Sequence, residues 1–248
     1  MFAQTFDGAR VLVTGGTSGI GQAIATAYAG AGAEVIITGT RADLAAYEGD
    51  FGGFSYRQFE ITDKASVAAL AASIPALDIL INNAGIALPS LGLDEWDPEN
   101  FERSVAINLT GLYRLTAALK PRLAASKFPG GASIIGIASM SSLFGIEIVP
   151  GYGAAKTGLV GLTRTMAAAW GRDNIRVNAV AAGLVASRAT AAAIGAPGFT
   201  DPTIARTPLG RIGQPQDVAG PVLFLTSPAA AFVTGQTLSV DGGFSIQG

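Results

Sequence analysis

Arg10-Val11-Leu12-Val13-Thr14-Gly15-Gly16-Thr17-Ser18-Gly19-Ile20-Gly21 joins a run of β-branched and apolar residues to a glycine-rich turn, and an alanine-rich segment from Gln22 to Ala31 follows at once. Residues 10–14 predict a short buried strand ended by glycine. The turn opens a helix, and Glu34-Val35-Ile36-Ile37-Thr38 predicts the next strand. Strand, turn, helix and strand make a βαβ unit, whose right-handed crossover lays the helix on the sheet face. A turn rich in glycine lets its backbone approach a pyrophosphate, to which the helix N-terminus offers free N–H groups. A ligand-free glycine loop is the competing reading, but a place between strand and helix favours the nucleotide.

The alternation continues along the chain. Strands are predicted at Phe54–Phe59, Ile79–Asn82, Ser133–Ile137, Arg176–Val180 and Thr237–Val240, with helices over Lys64–Ser73, Phe101 to about Ala125, Tyr152–Trp170 and Pro215–Leu225. Pro98 suits the first turn of a helix capped by Asp97. No linker or repeat interrupts this, so the pattern predicts one doubly wound α/β domain. Gly183 to about Pro208 departs from it, with Pro197, Gly198, Pro202 and Pro208 among mixed helical and turn signals, and is expected to be a lid or binding loop.

The chain has 248 residues, 49% hydrophobic and 14% charged, with a net charge of -2 and neither cysteine nor histidine. Disulfides, thiolate nucleophiles, the usual zinc sites and a Ser-His-Asp triad are thereby excluded, and no metal site is expected. Sixteen basic and eighteen acidic residues are spread without a basic stripe, so nucleic acid is not an expected partner. No apolar run reaches the ~18 residues of a membrane span and no secretory signal is visible, so a soluble, cytoplasmic protein is expected. Proton chemistry must then run through carboxylates, lysine or tyrosine. Tyr152 and Lys156 stand four residues apart, on one face of a helix, and an ammonium near a phenol draws its pKa down from about 10.

Taken together, Thr14-Gly15-x-x-x-Gly19-x-Gly21, Asn82-Asn83-Ala84-Gly85, Tyr152-x-x-x-Lys156, Val233-Thr234-Gly235 and Val240-Asp241-Gly242-Gly243 resemble the short-chain dehydrogenase/reductase family. The resemblance spans nearly the whole chain. It implies a Rossmann-type domain over residues 1–248, with a mostly parallel seven-stranded sheet, helices on both faces and a substrate lid at about 184–208. It places a catalytic tetrad on Asn108, Ser139, Tyr152 and Lys156, with Ser139 thirteen residues before the tyrosine. It also supplies a water linking Asn108 to Lys156. Hydride transfer between a nicotinamide and a carbonyl or alcohol carbon is the implied reaction, Tyr152 moving the proton, Ser139 binding the same oxygen, and Lys156 lowering the tyrosine pKa and holding ribose.

Coenzyme contacts are implied at Gly15, Thr17, Ser18, Gly19, Ile20, Gly21, Thr40, Arg41, Glu60, Ile61, Asn83, Ala84, Gly85, Tyr152, Lys156, Gly183, Val185 and Ser187. Gly39 stands where NAD-preferring relatives carry Asp, which would accept from the ribose 2′-OH. Arg41 follows as a candidate clamp for a 2′-phosphate, so NADP(H) is expected over NAD(H). Ser18 replaces a basic residue of some NADP relatives, Glu60-Ile61 replaces Asp-Val, Ala182 precedes Gly183 where proline is usual, and Ser187 keeps the hydroxyl of a usual Thr.

Leu88, Leu143, Phe144, Ile146, Ile148, Val149, Leu184, Val185, Ile194 and Phe199 form the expected substrate wall, with Glu147 the one nearby charge. That points to a small, neutral, hydrophobic ketone or secondary alcohol. The alternatives are an NAD-dependent polyol or sugar dehydrogenase of the same family, with Glu147 accepting from a hydroxyl, and a non-catalytic dinucleotide-binding protein. The helices of Asn108 and Tyr152 are rich in apolar and small residues, and the resemblance implies that they pair within a homotetramer.

Overall fold

The computed structural model describes residues 5–187, 190–195, 198 and 200–247. Seven strands, β1 (Arg10–Val13), β2 (Glu34–Gly39), β3 (Ser55–Gln58), β4 (Ile79–Asn82), β5 (Ala132–Ser139), β6 (Ile175–Ala182) and β7 (Thr237–Val240), form one sheet in the order β3-β2-β1-β4-β5-β6-β7. Every adjacent pair runs parallel, so the sheet is wholly rather than mostly parallel. Parallel strands need crossovers, and the helices that make them cover both faces.

Alternation along each strand divides the core in two. Leu12, Leu80, Ile134 and Val177 face a layer with α2 (Lys64–Ser73), α4 (Gly111–Ala124) and α5 (Pro150–Trp170). Val11, Val13, Ile79, Ile81 and Ile135 face α1 (Gly19–Gly30) and α8 (Pro215–Thr226). Each such fully buried side chain contributes about 1.5–3 kcal/mol. That burial makes the sheet a rigid base for the loops at its carboxyl edge.

The predicted strands and helices are found, with ends shifted by a few residues. Asp97 caps α3 (Pro98–Val105), its carboxylate accepting from Glu99 N–H at 3.0 Å and Asn100 N–H at 3.2 Å. The long helix expected from Phe101 is not continuous. α3 and α4 are joined by a π-helical turn, Ala106–Thr110, which inserts one extra residue per turn and contains Asn108. Between β6 and α8 lie two short helices, α6 (Ala191–Ile194) and α7 (Asp201–Arg206). Pro197 and Phe199 of the expected lid lie outside the described residues. Among those residues, no helix is long and apolar enough to cross a membrane.

Candidate active site

Strand order reverses between β1 and β4, which opens a crevice beyond their carboxyl ends. A cleft of ≈ 620 Å³ fills it. One wall is the turn after β1. Thr14 ties this turn to the end of β4: its Oγ1 donates to the Ile81 carbonyl at 3.1 Å and accepts from the N–H groups of Asn83 and Ala84 at 3.0 Å. Asn83 Nδ2 returns bonds to the carbonyls of Thr14 at 2.9 Å and Gly15 at 3.1 Å. Gly15 and Gly19 are left-handed, at φ +64 and +55, which glycine adopts without strain. A Cβ on Gly21 would lie 2.4 Å from both Asn83 Nδ2 and the Gly15 carbonyl oxygen, so that glycine is required by close packing. The N-cap of α1, Ser18, makes no side-chain cap bond, and no acid stands in the first turn. The cradle is thus opened by Gly15, Gly19 and Gly21, brings Thr17, Ser18 and Ile20 to the cleft between them, and is not acidic. It fits the pyrophosphate of a dinucleotide.

Of the residues expected to touch coenzyme, all but Arg41 line this cleft. The Arg41 guanidinium turns to the next loop, donating to the Ala46 carbonyl and lying 4.9 Å from the Tyr47 ring centre. Tyr47 was not singled out from the sequence. Its hydroxyl accepts from Arg41 N–H at 2.8 Å, and a Cβ on Gly39 would lie 2.4 Å from that oxygen. The place an aspartate side chain would take is therefore filled by Tyr47.

The opposite wall carries Ser139 at the end of β5, with Tyr152 and Lys156 one turn apart on α5. Lys156 is 2% exposed, and its Nζ donates to the Ile137 carbonyl at 2.7 Å. Burial lowers its pKa from 10.5 to about 8. Tyr152 differs from the expectation that the ammonium would lower it. Burial pushes the phenol above its ordinary value, the Ser139 hydrogen bond pulls against this, and the charge of Glu95 pushes it further up. Lys156 Nζ lies 5.4 Å from the ring centre and is engaged with a carbonyl, so it does not set the pKa of the free protein.

Asn108 is fully buried, as its apolar surroundings implied. Its Nδ2 donates to the carbonyls of Ile86 at 2.8 Å and Ser104 at 2.9 Å, and its Oδ1 accepts from Ile86 N–H at 3.0 Å. Main-chain groups therefore hold the amide directly and leave Oδ1 one further lone pair. A Cβ on Gly85 would lie 2.5 Å from Asn108 Oδ1 and 3.3 Å from Lys156 Nζ, so the two side chains converge on that glycine.

The substrate wall is partly corrected. Ile146, Val149, Leu184 and Val185 line the cleft. Leu88 is fully buried in the core, whereas Leu143 and Ile148 are about half exposed, at 47% and 52%. Phe144 lies 6.0 Å from Phe244, ring centre to ring centre, and Glu147 is exposed. A neighbouring cavity of ≈ 670 Å³ shares Met140, Gly183, Leu184 and Val185 with the cleft and extends to Leu209, Phe244 and Ile246. These C-terminal residues carry no local motif, which is why the sequence did not mark them.

The family model that matches the chain is described as enoyl-(acyl carrier protein) reductase and covers residues 15–245. A 3α-hydroxysteroid dehydrogenase of Mediterraneibacter gnavus is 38% identical over 242 residues, 93% of this chain and 94% of that protein. Among solved structures, a short-chain dehydrogenase/reductase family protein superposes with a TM-score of 0.82 at 38% identity, over 97% of this chain and 98% of its own. A gluconate 5-dehydrogenase from Burkholderia cenocepacia J2315, in complex with NADP and tartrate, gives a TM-score of 0.86 at 30% identity, over 98% and 97%. With the sheet order, the glycine cradle and these relatives in agreement, the chain belongs to the short-chain dehydrogenase/reductase family and is an NAD(P)-dependent oxidoreductase of CH–OH and C=O groups.

Proposed function

We propose that this enzyme is an NADP(H)-dependent carbonyl reductase or alcohol dehydrogenase for a neutral, largely apolar ketone or secondary alcohol, with Tyr152 as general acid and base. One observation carries the reading: a cleft with a glycine-rich cradle on one wall and Ser139, Tyr152 and Lys156 on the other. The coenzyme, when bound, supplies the hydride and, oxidised, a positive charge. The turn from Gly15 to Gly21 would hold its pyrophosphate, Glu60 and Ile61 its adenine, Lys156 its ribose hydroxyls, and Val185 and Ser187 its carboxamide. In reduction Tyr152 Oη gives its proton to the developing alkoxide, and Ser139 Oγ donates a hydrogen bond to the same oxygen. In oxidation both steps reverse. A phenol held above its ordinary pKa is protonated at neutral pH, which suits reduction.

The coenzyme preference rests on the missing acid. Tyr47 occupies the space over Gly39, and the Arg41 guanidinium stacked on that ring leaves a cation near the rim. Titration of the apoprotein by fluorescence is expected to give tighter binding of NADPH than of NADH. Equal or tighter NADH binding overturns the preference. On the substrate side, Glu147 is exposed and does not line the cleft, whose residues around the reacting end include the apolar Ile146, Val149, Leu184 and Val185. The segment around α6 and α7 acts as the lid. Arg206 at its end lies 4.5 Å from the Phe244 ring centre and 5.3 Å from that of Phe144, and Phe244 lines the neighbouring cavity.

The outward faces of α4 and α5 present Tyr113, Ala117, Ala154 and Ala168 to solvent. Small and apolar residues there suit close helix pairing between copies, in a homotetramer. Light scattering at micromolar concentration is expected to report a multimer, and a monomer would refute the pairing.

A further inference from the structure

Glu95 lies in a turn between the end of β4 and α3, in the stretch Leu93-Asp94-Glu95-Trp96, and is fully buried. A buried carboxylate is costly unless it is well bonded, so its partners are informative. Oε1 accepts from Leu88 N–H at 2.9 Å and Ser104 Oγ at 3.2 Å, and Oε2 accepts from the Tyr152 N–H at 2.7 Å. Tyr152 is the third residue of α5, whose own N-cap, Val149, makes no side-chain cap bond. The carboxylate thus caps α5 from a distant part of the chain, at the end where the helix dipole favours negative charge. Oε1 leads to Asn108 through Ser104, whose carbonyl accepts from Asn108 Nδ2 at 2.9 Å. One side chain therefore joins the backbone of the tyrosine to the helix turn that holds the asparagine. Next to it, Trp96 Nε1 donates to the Glu147 carbonyl at 2.8 Å and so holds the loop leading into α5.

We infer that Glu95 is a positioning residue for the proton-transfer step: it fixes the start of α5, and with it the Tyr152 phenol, relative to Ser139 and Asn108. This rests on the assignment of Tyr152 as the acid/base. Among the described residues, other charges near the phenol are few. Lys156 stands on the same helix, 5.4 Å from the ring centre, while Glu99, Glu102 and Arg103 of α3 and Glu147 before α5 are exposed.

The test compares pH profiles of kcat for the wild type, Glu95→Gln, Glu95→Asp and Tyr152→Phe on one ketone or alcohol that the wild type turns over. Gln keeps the size but loses the charge and sets an NH₂ against an N–H donor. Glu95→Gln is expected to lower kcat about tenfold to a hundredfold, the worth of a charged hydrogen bond. Its apparent tyrosine pKa is expected to move toward lower pH, because a nearby negative charge is gone. Asp keeps the charge but is one methylene too short, so kcat falls with the wild-type pKa retained. Ser104→Ala, which leaves Glu95 held by two main-chain donors, serves if Glu95→Gln fails to fold; its kcat is expected to fall about threefold to tenfold with coenzyme affinity unchanged. A Glu95→Gln profile superimposed on the wild type, or wild-type kcat in Ser104→Ala, overturns the role of Glu95. Wild-type turnover by Tyr152→Phe instead overturns the assignment beneath it.

Discussion

Tyr152→Phe is expected to lose about 10²- to 10⁴-fold in kcat, the usual contribution of a placed general acid or base. The variant keeps the ring and removes the one oxygen that shares a hydrogen bond with Ser139. Coenzyme binding is expected to persist, because the cradle from Gly15 to Gly21 is built on β1, α1 and the Asn83 amide, on the wall opposite this phenol. The decisive measurement is single-turnover hydride transfer with saturating coenzyme. Loss of both coenzyme binding and turnover would point to a collapsed site, whereas wild-type turnover would sink the mechanism. Residual activity of the variant is expected to lack the ionisation of the tyrosine in its pH profile.

Lys156→Met is expected to do two opposite things: abolish turnover and stabilise the apoprotein at neutral pH. The wild-type lysine is buried, and burial lowers its pKa from 10.5 to about 8. Between pH 8 and 10.5 the unfolded chain therefore binds more protons than the folded one, and wild-type stability rises with pH across that window. Below pH 8 the whole penalty is present, roughly 3 kcal/mol at ~1.4 kcal/mol per pKa unit. Methionine escapes it but leaves the Ile137 carbonyl without its donor, which returns about 1 kcal/mol. The net gain at pH 7 is about 2 kcal/mol and disappears by about pH 10.5. Denaturant midpoints at fixed protein concentration, taken at pH 7 and pH 10, measure it. A variant less stable than the wild type at pH 7 contradicts the account. Stability is given up here to keep a charge at a dry site.

What the sequence revealed were features whose physics is local. A strand ending in glycine, the glycine-rich turn from Gly15 to Gly21, the Asp97 cap and the four-residue spacing of Tyr152 and Lys156 each lie within a dozen residues. Each could be argued from periodicity and backbone freedom, and the family resemblance joined them. What escaped were contacts made across the fold. Glu95 was not singled out, because its partners lie at positions 88, 104 and 152. Arg41 looked available for phosphate until Tyr47 and Ala46 engaged its guanidinium. Leu88, Leu143 and Ile148 are equally apolar in sequence, yet one is core and two face solvent. Periodicity tells which residues prefer burial; it does not say against what.

The π turn at Ala106–Thr110 has a consequence for how this protein can change. The phase of α3 is set by its Asp97 cap, and that of α4 by Gly111, where a Cβ would lie 2.6 Å from the Ile61 carbonyl oxygen. The wide turn takes up one residue more than an α-helical turn would, so the helices on either side keep the phase that their own anchors set. Deleting one residue elsewhere in α3 or α4 would instead rotate everything beyond it by about 100°. Leu112, Leu115 and Leu119 would then leave the core together, or Ser104 would leave Glu95. A one-residue change of length is therefore open to this helix pair at the π turn and closed to it elsewhere.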